Sequence, residues 1–150
     1  MNEAELGVLL ASVKGFKHTY ASNELEDIKI RVNGGLIFYT SPRWETAQGH
    51  WAVLYKLDEN CMILVDSLHQ SNIYSAPYIK QFLRNNNSSY MKTLTFPIQS
   101  YSSQLCGLYA VYFLQGLLKN RTLEDLVNVF SAKNPILNDF IIVQEILKMM

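Results

Sequence analysis

Cys106 stands where a polar run, Gln99 to Gln104, gives way to apolar residues from Leu105 to Leu118. A stretch apolar nearly all round predicts a central buried helix with the cysteine at its start. The unpaired N–H groups and positive dipole end of a helix's first turn favour a thiolate, the form in which cysteine is a nucleophile. A lone cysteine is more often a small apolar core residue. Two features tell against that here: polar residues precede it, and Gly107 follows it, leaving room for a substrate backbone. Cys61, set among the apolar residues of a strand, reads as core.

A thiol nucleophile needs an imidazole within reach and a third group that holds the imidazole in the right tautomer. Of three histidines, His18 and His69 fall in polar or loop segments and read as surface residues, whereas His50 sits between Gly49 and Trp51 at the mouth of a strand. Asp66 ends the next strand. A turn halfway between them brings positions 50 and 66 side by side across an antiparallel pair, so the carboxylate can orient the ring. Acyl transfer also needs donors for the oxyanion of its tetrahedral intermediate, commonly a backbone N–H at the nucleophile and a side-chain amide. Gln99 and Gln104 are both candidates for the amide. The loop around Trp44 and Gly49 is expected to line the cleft, with Trp51 beside the dyad or simply in the core.

These residues need elements to hold them. Leu6, Leu9, Leu10 and Val13 share one face of a first helix over 3–13, with Asn2 as N-cap and Gly15 as stop. The pattern next predicts a strand from Ile28 to Val32, a turn at Asn33-Gly34-Gly35 and a strand from Leu36 to Thr40. Ser41 to Gly49 is loop-like. Trp51 to Leu57 and Cys61 to Asp66 form a hairpin around Asp58-Glu59-Asn60. A helix follows, capped by Ser75 with Pro77 in its first turn, then a strand from Met91 to Phe96. Beyond the central helix, two more are expected at 122–131 and 138–149, the first with Thr122 as N-cap.

At 150 residues, 49% apolar and 12% aromatic, the chain suffices for one hydrophobic core, so a single domain over 1–150 is expected. Its 13 basic and 13 acidic residues balance, and no basic run occurs, which argues against strong nucleic-acid binding. Neither a signal peptide nor a membrane span is expected, and two cysteines suggest a reducing compartment.

The sets Gly49-His50-Trp51, Val65-Asp66-Ser67-Leu68, and Gln99 with Cys106-Gly107-Leu108-Tyr109 resemble the adenovirus protease family, adenain. They are similar, more distantly, to the proteases that release SUMO and related ubiquitin-like proteins. In that family the order is His, Asp or Glu, Gln, Cys, and the glutamine lies six or seven residues before a Cys-Gly pair. Gln99 matches that spacing and Gln104 does not. The resemblance implies an α+β, papain-like fold: a small central, mainly antiparallel sheet flanked by helices, with the nucleophile at the N-terminus of a buried central helix. It also implies a cysteine endopeptidase with His50, Asp66, Gln99 and Cys106 as its catalytic set, and Gly107 beside the cleft.

The expected substrates are viral precursor polypeptides with glycine-containing sites, cleaved by a monomer in the host nucleus and the virion. A protease that deconjugates ubiquitin or SUMO is the alternative, and an inactive interaction protein of the same fold is a third reading. No cofactor or metal is called for by the residues themselves. Family members use DNA, which the balanced charge argues against, and a viral peptide activator linked through a cysteine. The corresponding stretch here, Asn87 to Lys92, has no cysteine.

Overall fold

The computed structural model describes residues 3–11, 19–42 and 49–149. In chain order the elements are α1 (Glu3–Leu10), β1 (Tyr20–Ala21), a 3-10 helix (Ser22–Asp27), β2 (Gly35–Tyr39), β3 (Trp51–Lys56), β4 (Cys61–Val65), α2 (Ser71–Tyr74), α3 (Pro77–Asn85), β5 (Tyr90–Thr93), α4 (Cys106–Leu118), α5 (Leu123–Val127) and α6 (Pro135–Met149). The strands form one sheet in the order β1-β2-β3-β4-β5.

Side chains of a strand alternate between the two faces of its sheet, and both faces here are covered. Ile37, Trp51, Val53, Tyr55, Ile63 and Val65 join a core built with α4, α5 and α6. Their neighbours Leu36, Phe38, Ala52, Leu54, Met62 and Leu64 pack instead against Leu25, Ile73, Ile79 and Phe82, from the 3-10 helix, α2 and α3. Every residue of β3 and β4 is therefore buried, which is why these strands read as continuous apolar runs. The fold is α+β, a mixed five-stranded sheet flanked by helices.

Several expectations need correction. The sheet, expected to be mainly antiparallel, is mixed: β1 with β2 and β4 with β5 pair parallel, β2 with β3 and β3 with β4 antiparallel. No strand forms from Ile28 to Val32; β3 pairs along one edge of β2, and β1 takes Phe38 and Tyr39 on the other. The backbone there is held by one side chain: Asn86 accepts from Ile30 N–H at 2.8 Å and donates to Ile28 O at 3.0 Å. The turn itself stands, with Asn33 in the left-handed region and its N–H bonded to Lys56 O at 2.8 Å. Strand β5 stops at Thr93 rather than Phe96, since its last partner on β4 is Leu64.

Ser75 does not cap α3; Ala76 is the N-cap, and the Ser75 hydroxyl bonds back to Ser71 O. Helix α5 is shorter than expected, although Thr122 caps it by accepting from Asp125 N–H at 3.0 Å. Helix α6 starts earlier, at Pro135, with Asn134 capping Leu137 N–H at 3.1 Å. Asn2, Val13 and Gly15 lie outside the described residues.

Two tyrosines tie the layers together and set an alkaline limit on stability. Tyr112 donates to Leu126 O at 2.7 Å, joining α4 to α5. Burial pushes its phenol up to about 12, with Arg121 pulling down and Glu145 pushing up. Burial, reinforced by the charge of Asp66, likewise pushes Tyr78 up to about 12. An unfolded tyrosine ionises near pH ~10, so the unfolded state loses these protons first as pH rises. The stabilisation is whole below pH ~10 and drains away as pH climbs through the folded value of about 12. Denaturant unfolding is expected to show stability falling over that window, less steeply in a Tyr78→Phe, Tyr112→Phe double variant. Identical slopes in the two proteins would refute the assignment.

Candidate active site

His50 lies just before β3 and Asp66 just after β4. Their ladder pairs Val53 with Val65, and one further step sets Asp66 opposite Ala52. His50 is therefore two residues off the direct partner, on the same face, where the sequence placed it side by side with Asp66. The side chains close that diagonal: His50 Nε2 meets Asp66 Oδ1 at 2.6 Å. The main chain of His50 is gripped by Thr40, whose Oγ1 and N–H bond its N–H and carbonyl, each at 3.0 Å.

Asp66 is wholly buried, and a buried carboxylate must be supplied with donors. Besides the imidazole, Oδ1 accepts from Leu68 N–H at 3.1 Å and Oδ2 from Gln70 N–H at 2.7 Å. A carboxylate with this set accepts only, so Nε2 is the donor to Asp66, and in the neutral imidazole the lone pair is then on Nδ1. Nδ1 is thus the nitrogen equipped to act as a base.

Cys106 is the first residue of α4, as expected. The N-cap, Leu105, has no side-chain oxygen to take up the helix's first N–H groups. Burial pushes the Cys106 thiol up; the backbone N–H groups of Trp51, Gly107 and Cys106 itself pull the other way without cancelling it. Burial thus favours the thiol form, while the sulfur is placed among N–H groups that would stabilise a negative charge. Trp51 fills both expected roles: it is buried in the core, edge-on to Tyr39 with ring centroids 4.9 Å apart, and it also lines the cleft that holds His50 and Cys106.

Gln99 is 3% exposed and fixed at both ends of its amide. Ser67 Oγ donates to Oε1 at 2.6 Å, and Nε2 donates to Ser103 O at 3.0 Å. Since a backbone carbonyl accepts only, the nitrogen must face Ser103, which settles the orientation of the amide and leaves its second N–H unused. Gln104 is exposed on the rim, and no side-chain hydrogen bond holds it among the described residues.

His50, Gln99 and Cys106 line one cleft of about 670 Å³, with Tyr39, Tyr78 and Tyr101 among its other walls. The described lining residues include no Asp, Glu, Lys or Arg. Gly49 lines it too, in a space that admits no side chain: an added Cβ would stand 2.7 Å from Ser41 Oγ and 2.8 Å from Tyr39 Cε2. Gly107 is not among the cleft-lining residues; it is buried, and its part in the site is its N–H. Trp44 and His18 lie outside the described residues. His69, expected on the surface, is half-buried, bonded through Nδ1 to the Tyr74 hydroxyl at 2.8 Å.

No protein-family model matches the chain, and no curated protein matches it either. Among the described residues, no group of three or more His, Cys, Asp or Glu could hold a metal ion, and no helix is long and apolar enough to cross a membrane.

Sequence reasoning passed over the residues that support the site. Ser67 orients Gln99 both through its hydroxyl and through its carbonyl, which accepts from Ile98 and Gln99 N–H at 2.9 and 3.0 Å. Asn138 is fully buried and donates to Ile98 O at 3.0 Å. A signal for it existed: Asn138, Ile142 and Ile146 share the buried stripe of α6, and a polar residue on such a stripe implies a specific partner.

Proposed function

We propose that this protein is a cysteine endopeptidase of the adenain type, with a papain-like fold, that cleaves viral precursor polypeptides during particle maturation. The observation that carries the reading is the convergence of His50, Gln99 and Cys106, far apart in the chain, on one cleft, with buried Asp66 bonded to Nε2 of His50 behind it. In the proposed mechanism Nδ1 takes the thiol proton of Cys106 as the sulfur attacks the scissile carbonyl carbon. The oxyanion then accepts from the unused Gln99 N–H and from Cys106 N–H. His50 returns the proton to the leaving amine as the C–N bond breaks, and water attacks the thioester to release the acid and restore the thiol. The uncharged lining of the cleft favours an extended, neutral peptide backbone over a polyanion. On this reading the protein works as a monomer in the host nucleus and the virion.

The test uses a fluorogenic peptidyl amide carrying Gly-Gly before the scissile bond. Gln99→Ala is expected to lower kcat by about 10² to 10³, the usual loss on removing one oxyanion donor, with Gln104→Ala staying near wild type. Wild-type protein that cleaves no glycine-containing peptide would sink the proposal, and equal losses in the two variants would sink the assignment of Gln99.

A further inference from the structure

The segment that presents Gln99 is irregular backbone, yet an oxyanion donor has to be held within a fraction of an ångström of its working place. Consecutive residues of α6 grip it on either side. Asn138 Nδ2 holds Ile98 O at 3.0 Å, and Asp139 Oδ1 accepts from Ser100 N–H at 3.3 Å. The same Oδ1 accepts from the Tyr109 hydroxyl at 2.7 Å. Tyr109 stands three residues after Cys106, one turn along the nucleophile's own helix. A single carboxylate oxygen therefore joins the helix that carries the sulfur to the segment that carries the oxyanion amide. The tie is made in poor solvent: Tyr109 is 1% exposed, and its phenol is pushed up by burial and then by its bond to Asp139 and that carboxylate's charge.

We infer that Asp139 is a positioning residue, whose shared oxygen sets the distance between Cys106 and the Gln99 amide. It touches no reacting atom and acts through Ser100 and Tyr109. The inference rests on the endopeptidase reading, and it makes a demand that mere structural support does not. Losing the tie must impair the step that uses the oxyanion hole, acylation by a peptide amide, and must spare alkylation of Cys106 by iodoacetamide, which needs the sulfur and its base but generates no oxyanion.

The experiment measures both rates, with thermal melting, on the full chain. Asp139→Ala is expected to lower kcat for the Gly-Gly peptidyl amide by on the order of 10², the cost of an ångström-scale misplacement, with the alkylation rate within about twofold of wild type. Asp139→Asn keeps an oxygen that can accept both bonds, and is expected to recover most of the loss. Tyr109→Phe breaks the same tie from the other side, so its effect and that of Asp139→Ala should not add in the double variant. Full cleavage in Asp139→Ala overturns the inference, as does a parallel fall in cleavage and alkylation, or a double variant whose losses multiply. Wild-type protein that alkylates at Cys106 but cleaves no peptide overturns the endopeptidase reading, and this inference with it. Wild-type cleavage with an unchanged Asp139→Ala overturns this inference alone.

Discussion

Cys106→Ala is expected to abolish peptide cleavage, by on the order of 10⁶ in kcat, the scale on which removal of an enzyme's nucleophile is felt. The replacement takes away only the sulfur. Cys106 is packed among the apolar residues of the α4 core at 9% exposure, and truncating it to a methyl group there leaves a small void. A cost of about 1 kcal/mol is the scale for so small a deletion, so melting should be nearly unchanged while turnover disappears. Cys61→Ala provides the control. That thiol is also buried and also pushed up by burial, but it sits within β4, away from the cleft-lining residues, and its removal should leave kcat unchanged. The contrast also separates an enzyme from an inactive protein of the same fold. An enzyme loses turnover with Cys106 alone, whereas residual cleavage in Cys106→Ala would place the chemistry elsewhere.

Legibility in the sequence followed the range of the forces involved. The β3–β4 hairpin could be read because two uninterrupted apolar runs flank Asp58-Glu59-Asn60, whose geometry is local: Asp58 Oδ1 accepts from both Asn60 and Cys61 N–H at 2.8 Å. The start of α4 could be read because the switch from polar to apolar residues falls at the helix boundary itself. What could not be read depends on residues remote in sequence. Ile28 and Ile30 have strand-forming residue types, but their backbone groups are captured by Asn86, 58 and 56 positions away. The parallel pairings of β1 with β2 and β4 with β5 join segments whose adjacency no local pattern encodes. The site divides along the same line. Groups that do chemistry stand out by type, whereas those that hold them, such as Ser67 at 32 positions from Gln99 and Asn138 at 40 from Ile98, look like ordinary polar residues until the chain is folded.

Asp66→Asn should be the next most damaging change after loss of the nucleophile, by a route that leaves both cysteine and imidazole in place. Asp66 receives three donors, His50 Nε2 and Leu68 N–H on Oδ1 and Gln70 N–H on Oδ2. An asparagine has one oxygen and one NH₂ to offer these two sides. With its oxygen kept toward His50, the NH₂ faces Gln70 N–H, two donors meet in a buried site, and the unsatisfied group costs about 1 to 3 kcal/mol of stability. With the amide turned round, the NH₂ donates to Nε2 and meets Leu68 N–H, so a donor is left unsatisfied here too and the imidazole proton must move to Nδ1. The nitrogen that should accept the Cys106 proton then carries one of its own, a tautomer error expected to lower kcat by on the order of 10⁴. Either orientation opposes the wild-type arrangement, so the variant should show a lowered melting temperature, a lowered kcat, or both. The alkylation rate of Cys106 at neutral pH tells the two apart. It falls with kcat if the tautomer is wrong, because iodoacetamide too needs the sulfur deprotonated, and it holds if the loss is of stability alone. A variant with wild-type melting, turnover and alkylation would show that Asp66 does not orient His50.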